Sequence, residues 1–140
     1  MNHLEEKLAR FRSLNREMRL QQLLSYARKF PELPAELVEA RDAGLNRVTE
    51  CQTPLFLWVS VQEGKVRIHA DAPRDAPTVR GFMAFLMETL NGQDPKDVAE
   101  LPTDLLDRMG MGEVLGVMRT QGLGSVLHRV RGDVARAFVK

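Results

Sequence analysis

Midway along the chain the spacing of apolar residues changes from helical to alternating, and that change limits the fold more than any other feature. Leu55, Leu57, Val59 and Val61 alternate with Phe56, Trp58, Ser60 and Gln62; beyond Glu63-Gly64, Val66, Ile68 and Ala70 alternate with Arg67, His69 and Asp71. Strand side chains point to opposite faces in turn, so a period of two marks strands. Two such runs around a Gly-containing two-residue turn mark a β-hairpin. The first run is apolar on both faces at its start, which predicts a central strand covered on both sides there. Arg47 to Glu50 is expected to add a third strand, giving a small antiparallel sheet of about three strands within 46–71.

The flanks read as helix. Leu4, Leu8, Phe11, Leu14, Met18, Leu23, Leu24 and Ala27 recur at helical spacing, with Ser13 or Asn15 placed to cap a second helix over about 16–29. "FPELP" ends it, because a residue before proline is driven out of helical geometry; residues 31–46 are expected to be irregular, with at most one helical turn over 34–40. A helix over 77–90 starts with Pro77 at its first position and buries Val79, Phe82, Met83, Leu86 and Leu90. Asp94 and Pro95 open a short helix, Thr103 is placed to cap another over 104–109, and a last helix runs over about 121–138. A central sheet packed by N-terminal and C-terminal helices defines an α+β fold.

The 140 residues suffice for one domain, 1–140, with a modest core. Twenty Lys+Arg against 19 Asp+Glu leave a net charge of +1, without the concentrated basic excess that nucleic acid requires. Arg129, Arg131, Arg136 and Lys140 are diluted by Asp133 and read as a solvated helix face. Leu55 to Val61 is too short to span a membrane, and "MNHLEEKLAR" has two Glu where a signal peptide needs a basic start. The expected location is a reducing cytoplasm.

Few residues invite chemistry. "GMGEVLGV" (110–117) lacks the P-loop pattern and reads as a loop between helices; there is no G-x-S-x-G, and no pair of carboxylates stands out. The single cysteine, Cys51, excludes an internal disulfide, and His3, His69 and His128 share no ligand-like spacing with it, so no metal site is expected. His69 falls on the polar face of the hairpin and His128 in mid-helix. Cys51 itself lies in "RVTECQTPLFLWVS" (47–60), between polar neighbours and just before Pro54 and the apolar run. Free cysteine usually packs as a small hydrophobe. A thiol at the polar mouth of an apolar strand can also be sheltered yet presented when its loop moves. The residues alone leave both open.

Several segments, in order, resemble the SufE family of sulfur acceptors. "CQTPLFLWV" is similar to its C-Q-S-x-V-W-L segment, and "YARKFPELPAEL" (26–37) to its helix ending in an L-P-x-L-P-like stretch. "VRIHADAPRDAPTVRGFMAFLMETLNG" (66–92) resembles the family's strand, Asp-containing loop and V-x-G-L-x-A helix, and "MRTQGLGSVLHRVR" (118–131) its R-x-N-G-L-x-x-M closing helix. The resemblance implies a fold similar to the IscU scaffolds. It implies a PLP-dependent cysteine desulfurase as partner, with the PLP held by that partner and none by this chain. Cys51 would take the persulfide sulfur and pass it to iron–sulfur cluster assembly. A carrier needs one thiol, whereas an IscU-like scaffold uses three. Gln52 matches the residue after the cysteine, Asp71 the acid at the strand end, and Arg119 with Gly122-Leu123 the R-x-N-G-L element, Gln121 replacing Asn. Arg119 is then expected near the Cys51 loop or on the desulfurase-facing surface, the alternative being a salt bridge at the start of the last helix.

Three positions depart from the pattern. Glu50 stands where the family has Gly, Thr53 where it has Ser, and Pro54 follows. Glycine allows a positive φ that glutamate adopts only at a cost, so Glu50 bears on the shape of the loop. Two rival functions remain at this level: a non-catalytic interaction module of the same fold, and a thiol redox sensor.

Overall fold

The computed structural model describes the backbone of residues 2–139 and the side chains of residues 6, 7 and 9–137. The side chains of His3, Leu4, Leu8, Phe138 and Lys140 lie outside the described residues. The chain is α+β, as its periodicity requires. Helices α1 (Asn2–Ser13), α2 (Arg16–Arg28) and α3 (Ala35–Asp42) precede strands β1 (Phe56–Gln62) and β2 (Lys65–Asp71). Helices α4 (Pro77–Leu90), α5 (Pro95–Ala99), α6 (Leu105–Arg108), α7 (Gly112–Leu115) and α8 (Val117–Val139) follow.

β1 and β2 pair antiparallel, from Phe56 opposite Asp71 to Gln62 opposite Lys65. Glu63 and Gly64 both have positive φ, 53° and 75°, the conformation a tight hairpin turn needs. Val66, Ile68 and Ala70 are buried, against α4 and α5, while Lys65 and Arg67 face solvent. Beyond β2 the edge is closed by residues 91–93. Asn91 accepts the Ile68 N–H at 2.6 Å and donates to its carbonyl at 3.2 Å, and Val66 exchanges backbone bonds with Gly92 and Gln93. This blunts the edge against pairing with another chain.

The sheet has two strands, where the sequence predicts about three. Arg47 makes only an isolated bridge to Phe56. Hydrogen bonds of a third strand do begin there: Leu57 N–H to the Asn46 carbonyl at 3.0 Å and Val48 N–H to the Leu55 carbonyl at 2.8 Å. Asn46, however, adopts φ 62°, and Cys51 N–H turns back to the Val48 carbonyl. A left-handed residue at one end and a turn at the other leave no room for extension. β1 is thus not central, and beyond Leu57 its residues are only half-covered. Phe56 and Trp58 stack on its outer face, 6.4 Å between centroids.

The predicted caps at Asn15 and Asp94 are present, accepting from Met18 N–H and Lys96 N–H, and Pro77 opens α4. Thr103 does not cap: α6 starts after Asp104, whose carboxylate pairs with Arg108. α3 runs for eight residues where at most one helical turn over 34–40 is expected; it buries no residue, so it shows no apolar stripe. "GMGEVLGV" contains the turn of α7, and α8 begins four residues before 121, after Gly116 at φ 84°.

The core gathers Phe82 and Phe85 of α4, Phe11 and Leu23 of the first two helices, and Leu123, Val126, Leu127 and Val130 of α8. Phe85 takes Phe11 and Tyr26 edge-on, 5.0 and 5.5 Å between centroids. One cation sits at the margin of this core. Arg19 donates to the carbonyls of Phe11, Arg12 and Gly110 and pairs with Glu113 at 3.3 Å. The Phe11 and Arg12 carbonyls belong to the last turn of α1, where helical donors run out; Phe11 also accepts the Leu14 N–H at 3.1 Å, while the guanidinium serves Arg12. A cation there also meets the negative end of the helix dipole. Arg19→Met would strand the Arg12 and Gly110 carbonyls and is expected to cost about 2–3 kcal/mol in urea unfolding. A cost below about 0.5 kcal/mol would show that water replaces the guanidinium freely. No helix among the described residues is long and apolar enough to cross a membrane.

Candidate functional site

Cys51 sits at the tip of the loop that feeds β1. The Val48–Leu55 backbone bond closes the loop at its base, and both residues are fully buried. Arg129 of α8 donates to the Arg47 carbonyl at 3.2 Å, which ties the base to the last helix. Within the loop the side chains divide. Thr49, Glu50, Gln52 and Pro54 are exposed, whereas Cys51 is 5% exposed and its sulfur faces Gly122 of α8. The base is therefore buried and tied to α8, and the tip is a surface turn whose one buried side chain is the thiol.

Glu50 resolves differently from the expectation attached to it. Asn46 and Glu63 are the non-glycine residues with positive φ among those described, so Glu50 needs none of glycine's freedom. Its carboxylate accepts from its own N–H and from the Thr49 hydroxyl, at 3.0 Å, and faces Arg129 and His128. Those bonds and charges hold its pKa below the ordinary carboxylate value, the backbone bond contributing most. A polar cleft of about 360 Å³ separates Glu50 and Asn46 from His128, Arg129 and Asp133 of α8. Glu50→Gly, which installs the residue that the sequence resemblance leads one to expect there, is expected to lower thermal stability by about 0.5–1 kcal/mol through unfolded-state entropy. A more stable variant would mean that Glu50 strains the loop after all.

The remaining candidates do not converge on the thiol. Asp71 ends β2 opposite Phe56, and Arg41 of α3 takes its carboxylate at 2.9 Å, with Arg80 of α4 at 3.7 Å. Arg80 also donates to the Ala72 carbonyl and lies 4.0 Å from the Phe30 ring centroid. Asp71 thus ties β2 to α3 and α4. Arg119 lies three residues, nearly one helical turn, before Gly122 and so on the thiol-facing side of α8. It is exposed and donates to the Thr78 hydroxyl at the start of α4, 3.2 Å away. Among the described residues no carboxylate pairs with it, so the alternative of a salt bridge at the helix start is not seen. Its neighbours Val117 and Met118 are 73% and 64% exposed.

Three contacts escape sequence reading. Gly122 appears in the sequence only as part of a matched motif, and nothing in its spacing points to Cys51. The arginines of α8 read as a solvated face, yet Arg129 binds the Arg47 carbonyl and Arg131 the Pro102 carbonyl. Among the described residues, no group of three or more His, Cys, Asp or Glu side chains is disposed to hold a metal ion.

Fold and site together define a small α+β protein that carries one sheltered thiol on a surface loop. The chain belongs to the SufE family, described as the Fe-S metabolism associated domain, which matches residues 5–134. A SufE-like protein of Mycobacterium tuberculosis (strain ATCC 25618 / H37Rv) is 33% identical over 96% of this chain and 92% of its own. The sulfur acceptor protein CsdE of Escherichia coli (strain K12) is 29% identical over 79% of this chain and 72% of its own. The solution structure of a hypothetical protein from Thermus thermophilus superposes with a TM-score of 0.84 at 38% identity, covering 99% of this chain and 97% of that one.

Proposed function

We propose that the chain works as a single domain that accepts sulfur on Cys51 from the persulfide of a PLP-dependent cysteine desulfurase, stimulates that enzyme, and delivers the sulfur to iron–sulfur cluster assembly. The observation that carries this is the placement of the thiol: the chain's one sulfhydryl lies on a loop closed at its base by the Val48–Leu55 backbone bond and backed by a glycine. Family membership and the acceptor activity named for the Escherichia coli relative support the same reading.

The chemistry is thiol–persulfide exchange. Cys51 loses its proton, and its thiolate attacks the outer sulfur of the partner's persulfide along the S–S axis. A new S–S bond forms on Cys51 as the old one breaks, the partner's thiolate leaves and takes up the proton, and no external oxidant or reductant is needed. The loop must turn its tip outward for this, because a thiol 5% exposed offers no line of attack. Opening about Val48 and Leu55 would supply that line, with those two residues staying in the core and Cys51 leaving its edge. Glu50 and Gln52 would then border the sulfur. Arg119, with its guanidinium in solvent, would face the partner, and Asp71 would hold the β2 end of the platform.

The test weighs the intact protein after incubation with a desulfurase, its PLP and free cysteine. The expected result is a gain of one sulfur atom that a reducing thiol removes. No gain from a desulfurase that is turning over would sink the proposal.

A further inference from the structure

Glycine is a poor residue for a helix interior, yet α8 carries it at 122, 124 and 132. None of the three has a positive φ, so backbone conformation accounts for none of them. A methyl group at 124 would meet open space, and one at 132 would meet only the guanidinium end of Arg136, at 3.4 Å. At 122 a methyl carbon would lie 3.1 Å from the Cys51 sulfur and 3.5 Å from both its Cα and Cβ. Carbon atoms pack at about 3.5–4.0 Å and sulfur is larger, so the sulfur contact would be overcrowded.

Which side would yield follows from how each is held. Leu123, Val126 and Leu127 are 0–2% exposed and root α8 in the core. The loop tip has one backbone bond, Cys51 N–H to the Val48 carbonyl at 3.2 Å, and its other side chains are exposed or half-exposed. The tip is the weaker body, and the thiol is its one buried anchor.

We infer that Gly122 is the positioning residue of the Cys51 thiol: lacking a side chain, it forms the seat on which the loop closes, and so sets how often the sulfur is presented. The role in sulfur transfer rests on the acceptor function proposed above; the closure itself does not. The Val48–Leu55 bond and the Arg129 link to Arg47 lie outside the seat, so crowding it opens the tip about its hinge and leaves the base in place.

The experiment is native-state alkylation of Cys51 by iodoacetamide, followed by intact mass, in the full chain and in Gly122→Ala and Gly124→Ala. Gly122→Ala is expected to label about tenfold faster than the parent, and Gly124→Ala at the parent rate. Equal rates for Gly122→Ala and the parent would overturn the inference, as would an equal acceleration by Gly124→Ala, which would make the effect one of helix composition. Should Gly122→Ala melt lower than the parent, the double variant with Cys51→Ala decides. Loss of the defect there shows that the methyl presses on the sulfur, and its persistence overturns the inference. Sulfur uptake from a desulfurase is read in the same proteins. Failure of the parent to load would remove the acceptor function and leave the alkylation ratio to judge the seat.

Discussion

Cys51→Ala is expected to abolish sulfur uptake completely while keeping the melting temperature within about 5 °C of the parent. The chain has no second cysteine, so no other side chain can hold a persulfide. The cost to the fold is small because the sulfur meets α8 at a glycine and not at an interlocking side chain. Removing one buried atom of this size costs about 1 kcal/mol. Cys51→Ser is the less clean substitution. Its hydroxyl would face Gly122 in a place 5% exposed, and a buried hydroxyl without a partner costs about 1–3 kcal/mol. That cost can be relieved by opening the loop, so serine is expected to disturb the tip more than alanine does. Intact mass after incubation with a working desulfurase, paired with a thermal melt, reads both quantities. Sulfur retained by Cys51→Ala would remove Cys51 as the acceptor. A melting temperature lowered by about 10 °C or more would make the thiol chiefly a packing element.

The fold is legible where local chemistry decides it. The hairpin follows from two alternating runs and a turn at Glu63-Gly64 that takes the left-handed conformation twice. Pro77, Asn15 and Asp94 mark helix starts because a missing N–H and a side-chain acceptor suit those positions directly. The misses have separate causes. α3 buries nothing, so its residues carry no stripe to read. The start of α8 is masked by exposed Val117 and Met118, which break the apolar stripe that Leu123, Val126 and Leu127 carry. The third strand fails on a backbone angle at Asn46 that side-chain alternation does not encode. Cys51 and its loop are legible as a polar segment before a strand, and their family pattern as an ordered set of motifs. The meeting of Cys51 with Gly122 is not, because it joins distant parts of the chain through the absence of a side chain.

Gly81 makes the largest stability prediction by the same geometry. A methyl carbon there would lie 2.0 Å from the Leu23 carbonyl oxygen and 2.7 Å from its carbonyl carbon. Those are backbone atoms of α2, and no rotamer change moves them aside. Either α2 and α4 separate or one of them distorts, and both responses strip contacts from Leu23 and Phe82, each fully buried. Gly81→Ala is therefore expected to cost about 3–5 kcal/mol, beyond the usual range for one added methyl, and to lower the melting temperature by about 10 °C or more. Gly124→Ala, with open space around it, is expected to be neutral or to stabilise by up to about 1 kcal/mol. The two are read side by side by circular dichroism melts, so that helix propensity is held common and contact geometry alone differs. The start of α4 supplies Thr78 to Arg119 and Arg80 to Asp71. A shifted α4 should therefore also disturb the surface beside the thiol loop, raising the alkylation rate of Cys51 even at temperatures where the protein is still folded. Equal melting of Gly81→Ala and the parent, within about 2 °C, would mean that α2 and α4 can part at little cost, and would remove the close approach of these helices as the frame on which the site is built.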